Sequence, residues 1–84
     1  MRVKIPDYLR ITKIDNQLVI LDGRKNQYFA VNESGSAFIG FLQNGSSVED
    51  AINQLEARYL SSSVRSDVEV FLKELINQGL VVEA

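Results

Sequence analysis

At Asn32 the apolar residues of this 84-residue chain change their spacing, from the alternation expected of strands to the three-and-four recurrence of helices. A chain with its strands first and its helices afterwards builds an α+β fold, because no strand is left for a helical crossover to connect to. Before the switch, Leu9 to Ile14 and Gln17 to Leu21 read as a hairpin about an Asp15-Asn16 turn. Leu18 to Leu21 is apolar on both alternating sets, as suits a central strand. Asp22 to Asn26 is a second turn, in which Gly and Asn can take positive φ, and Gln27 to Val31 is a third strand, expected at an edge.

After the switch, Asn32 is a helix N-cap, with Ala37, Phe38, Phe41 and Leu42 as the apolar stripe and Asn44-Gly45 as the stop. Ser46-Ser47-Val48-Glu49 matches a capping box, and Val48, Ala51, Ile52, Leu55 and Tyr59 form the stripe of the second helix. Ser61-Ser62-Ser63 supplies the next N-cap. Val64, Val68, Phe71, Leu72, Leu75 and Ile76 follow at helical spacing, and Gly79 ends the third helix. Leu80-Val81-Val82 is expected to add a short strand or cover the core. The expected fold is one domain over residues 1–84, a winged helix-turn-helix-like βββααα arrangement with a three-stranded antiparallel sheet.

The residue inventory narrows the chemistry. The chain has no His, Cys or Trp, so histidine bases, thiolate nucleophiles and His- or Cys-ligated metals are excluded, and no catalytic residue, metal or cofactor is expected. The carboxylates fall in turns or on polar helix faces and read as solvated structural residues. The glycines do not make a phosphate loop, and capping explains the serines. No stretch resembles a secretory signal or approaches the roughly 20 apolar residues of a membrane span, which points to a soluble cytoplasmic protein. The formal charge of −2 comes without a polybasic run, so neither nucleic acid nor membrane is an expected partner.

Binding is the remaining class. Helix-turn-helix order suggests DNA, but from Ser63 to Gln78 the third helix carries Arg65 and Lys73 against Asp67, Glu69 and Glu74, a balance that repels phosphate. The other surface is the edge of the third strand. Gln27, Tyr28, Phe29, Ala30 and Val31 include no Pro or charge that would block pairing, so an extended peptide can add there. The same pattern fits Phe29 and Val31 as core residues with Tyr28 at the surface.

The run from Val19 to Asn32 (VILDGRKNQYFAVN) resembles a hallmark of PqqD-like proteins, in which a Leu-Asp, a short turn, an aromatic pair and a Leu-Asn lead into the first helix. The likeness continues through Gly45-Ser46-Ser47-Val48-Glu49-Asp50-Ala51, Ser66 to Leu75 and Gly79-Leu80-Val81. Val31 stands where Leu is commoner, and Gln43-Asn44-Gly45 where an aspartyl-glycine is frequent. The stand-alone length is similar to that of the leader-binding proteins of lasso-peptide biosynthesis.

That resemblance implies a RiPP recognition element: a non-catalytic module that binds the leader of a ribosomally made precursor peptide as a fourth strand. It implies a groove between the third strand and third helix, formed by Gln27 to Val31 with Val64, Asp67, Val68 and Phe71, while Leu72 and Leu75 anchor the core. The implied partners are the precursor leader and a separate cysteine leader peptidase, with a cyclase as a further candidate. The rival readings are a DNA-binding winged-helix regulator and a structural subunit that dimerises through the same edge.

Overall fold

The computed structural model describes residues 2–15, 17–60 and 62–83. Its elements are β1 (Val3–Lys4), β2 (Leu9–Ile14), β3 (Gln17–Asp22), β4 (Gln27–Val31), α1 (Glu33–Gln43), α2 (Val48–Tyr59), α3 (Val64–Asn77) and β5 (Val82–Glu83). The meander β2-β3-β4 followed by three helices is the expected α+β arrangement, with β3 central and β4 at an edge. The predicted third strand is therefore β4. Two short strands are additional: β1 pairs antiparallel with β5 and brings the two ends of the chain together. The C-terminal segment does both things foreseen for it, since Val82 pairs while Leu80 and Val81 are buried.

One face of the sheet packs on the helices. Leu9, Ile20 and Val31 meet Phe38, Ile39 and Leu42 of α1, Ala51, Ile52 and Leu55 of α2, and Val64, Val68, Leu72 and Leu75 of α3. Ile39 belongs to this core although the apolar stripe read from the sequence passed over it. Ile76 was expected inside, yet it is 38% exposed, because the buried row of α3 runs through Val64, Val68, Leu72 and Leu75.

The helix ends follow local chemistry. Asn32 accepts from the Gly35 N–H at 2.8 Å and starts α1. For α2 the cap lies one residue later than expected: Ser47, rather than Ser46, accepts from the Asp50 N–H at 3.2 Å. Ser63 occupies the N-cap of α3, while Ser61 of the predicted cap and Asn16 of the predicted hairpin turn lie outside the described residues. At the other end of α3, Gly79 takes φ +73. The N–H groups of Gly79 and Leu80 return to the carbonyls of Ile76 and Leu75, which aims Leu80 back into the core.

Candidate functional site

The direction of each β4 amide follows from the hairpin register. Gly23 N–H donates to the Tyr8 carbonyl at 3.2 Å, so the hydrogen-bonding groups of β3 that face β2 are those of Leu21 and Val19. Those of Asp22, Ile20 and Leu18 then face β4, where they meet Gln27, Phe29 and Val31. Tyr28 and Ala30 are left with N–H and C=O groups directed to the open edge. Among the described residues no backbone bond from outside the sheet reaches them. The last rung is reinforced by Ser36, whose Oγ donates to the Val31 carbonyl at 3.2 Å and accepts from Leu18 N–H at 3.3 Å.

The opposite edge is less available. On β2 the same alternation turns Leu9, Ile11 and Lys13 outward, and the Leu9 N–H already donates to the Pro6 carbonyl at 3.1 Å. The Lys13 side chain adds a charge of the kind that blunts an edge.

Beside the open edge of β4 lies a groove walled by α3, and the Phe71 ring divides it. On one side a hollow of about 450 Å³ is lined by Ile20, Phe29, Leu75 and Leu80, with Asn77 and Gln78 at its rim. On the other, one of about 380 Å³ is lined by Asn32, Ser34, Gly35, Asp67 and Val68. Ala30, Val31, Phe71 and Glu74 belong to both. Phe71 is half-buried and stands edge-on to the fully buried Phe38, with ring centroids 6.3 Å apart and planes at 69°. A further open hollow of about 760 Å³ lies between the β2–β3 hairpin and α1, lined by Lys13, Gln17, Ser36 and Tyr59 among others, and the outward groups of Tyr28 and Ala30 do not face it.

Of the nine residues singled out in the sequence, Phe29, Ala30, Val31, Asp67, Val68 and Phe71 come together in this groove. Three do not line it. Tyr28, 73% exposed, projects from the sheet face opposite the helices, Gln27 pairs with Asp22 at the start of the strand, and Val64 is buried in the core row of α3. The groove row of α3 is instead Asp67, Phe71 and Glu74. Glu74 was legible as three residues beyond Phe71 on the same face. Leu80 was not, because the turn at Gly79 decides where it points.

A clamp fixes one end of the groove. Asp22, expected as a solvated turn residue, is wholly buried. It accepts from Arg24 Nη2 at 2.9 Å and Nε at 3.2 Å. The guanidinium lies 3.9 Å from the centre of the Tyr8 ring, and the Tyr8 hydroxyl donates to the Gly79 carbonyl at 2.8 Å. Arg24 thus ties the β3–β4 turn to the end of α3, where Gln78 lines the hollow of about 450 Å³.

Hydrogen bonding from Arg24 holds the Asp22 carboxyl below its ordinary aspartate range, against the opposing effect of burial. The stability this pair contributes is present above the unfolded carboxyl's pKa and is lost as pH falls through the lower folded value. Melting temperature should therefore fall on acidification below about pH 4. Asp22→Asn should lower the neutral-pH melting temperature and flatten that fall. An unchanged acid limb in the variant would show that other carboxylates govern it.

The family model for coenzyme PQQ synthesis protein D (PqqD) matches residues 17–81. Among solved structures, TbiB1 in complex with the TbiA(beta) leader peptide has a TM-score of 0.85 at 29% identity, over 93% of each chain. A lasso peptide synthetase B1 complexed with the leader peptide has a TM-score of 0.86 at 20% identity, covering 98% of this chain and 99% of that one, a likeness of fold. No curated protein sequence matches the chain.

Proposed function

This chain belongs to the PqqD family, and from that premise we propose that it is a RiPP recognition element that binds a precursor leader by strand addition. The observation that carries the proposal is the pair of outward N–H and C=O groups of Tyr28 and Ala30 beside a groove walled by Phe71. A leader strand would complete that edge, with main-chain bonds supplying affinity and the hollows on either side of Phe71 selecting side chains. That TbiB1, which is similar over 93% of its chain, is a complex with a leader peptide supports a leader as the ligand.

The adaptor reading assigns no chemistry to the chain itself, in keeping with a sequence without His or Cys. A separate cysteine peptidase would cleave the leader, with a cyclase as a further partner, all in the cytoplasm. No helix among the described residues is long and apolar enough to cross a membrane. The DNA-binding reading is weakened further by Arg65. Its guanidinium lies 2.9 Å from Glu56 and 3.1 Å from Glu49 on α2, which leaves it engaged within the helix pair.

Amide exchange tests the mode of binding. With saturating leader the Tyr28 and Ala30 amides should slow, because they gain partners, whereas Ile20 should be protected already. Unchanged exchange at Tyr28 and Ala30, with protection arising on another surface, would rule out strand addition.

A further inference from the structure

Gly35 stands where α1, the end of β4 and α3 converge. It is buried within α1 and its φ is not positive, so no unusual torsion calls for glycine. What it supplies is room. A Cβ at this position would lie 2.7 Å from Val31 Cγ1, 3.0 Å from Asn32 Oδ1 and 3.1 Å from Phe71 Cε2. Gly40, on the same helix, has nothing within 4 Å of such a Cβ. The crowding therefore belongs to one face of α1, although alanine is the better helix former at both positions.

The neighbours of Gly35 have few ways to yield. Phe71 is backed by Phe38, which is fully buried. Asn32 Oδ1 is engaged in the cap of α1. Val31 is 3% exposed and is the last residue of the strand that pairs. A methyl group at residue 35 thus drives the Phe71 ring toward β4 or displaces the end of β4, and both side chains line both hollows of the groove.

We propose that Gly35 is a positioning residue for peptide binding: its missing side chain holds the Phe71 ring back and sets the width of the groove between β4 and α3. This rests on the strand-addition reading above. The probe for it is a short peptide, selected on the wild-type protein from a random displayed library, that slows exchange at the Tyr28 and Ala30 amides.

Gly35→Ala should bind that peptide roughly tenfold more weakly, or worse, per folded molecule. In its NMR spectra the Phe71 ring should lie nearer the backbone amide of Ala30. In a Phe71→Leu background, which removes the Cε2 contact, the same Gly35→Ala change should have little further effect on affinity. A glycine of purely structural importance would lower the melting temperature and leave both affinity and ring position unchanged, and that result overturns the proposal. If Gly35→Ala does not fold, Gly35→Ala combined with Val31→Ala relieves the closest contact and is measured in its place, with an unmoved ring again decisive against it. If no selected peptide protects the β4 amides, the strand-addition reading fails and this inference falls with it. If a peptide protects them and Gly35→Ala binds it normally, only the role of Gly35 is lost.

Discussion

Ala30→Pro is expected to abolish most peptide binding while leaving the protein folded. The Ala30 N–H faces the open edge of β4, so a proline there takes no donor from the ladder with β3. It does remove a bond to an incoming strand, and its ring occupies the space where that strand's carbonyl would approach. Loss of the bond and its neighbour amounts to about 2–4 kcal/mol, roughly 30- to 1000-fold in affinity. Phe29→Pro is the control, since that N–H points to Ile20 and its loss should unfold the sheet. Peptide titrations and melts on both variants decide the matter. An Ala30→Pro protein that melts early, or a Phe29→Pro protein that does not, would show that the alternation along β4 has been assigned the wrong way round.

The largest effect on stability is expected for Phe38→Ala. The ring is fully buried at the centre of the core and backs Phe71. Its removal should cost about 3–5 kcal/mol. An 84-residue chain has a total stability of only about 4–13 kcal/mol, so chemical denaturation should show a large loss and in the unfavourable case no folded baseline. Where folded protein persists, peptide affinity per folded molecule should also drop, because Phe71 loses its support. A loss below about 1 kcal/mol would mean that the core closes over the gap and that Phe38 is not its keystone.

The elements were readable because they depend on local signals. The alternation in Leu18 to Leu21, the caps at Asn32 and Gly79, and the stripe of α2 each act within a few residues of themselves. Within the groove, Phe29, Ala30, Val31, Asp67, Val68 and Phe71 were legible from spacing together with family likeness. Val64 was misplaced because adjacent helical rows differ by a single residue, and only packing shows which row turns inward. Asp22 was misread because a Leu-Asp-Gly stretch looks like an exposed turn until the Arg24 and Tyr8 side chains are in place over it. Gly35 carries no local signal, since its worth depends on atoms of Val31 and Phe71 brought from two other elements.

The pairing of Val3–Lys4 with Val82–Glu83 has a consequence for engineering. A backbone that enters at β1 does so beside the point where it leaves through β5, separated by one strand spacing of about 5 Å. Such a unit can be spliced into a surface loop of an unrelated host without prising that loop apart, and β1 and β5 can be joined by a short bridge while new ends are opened elsewhere. Opening them within Gly23–Asn26 would cut the covalent tie between β3 and β4, so a split version would report directly on how far the edge strand depends on its neighbours to stay in place.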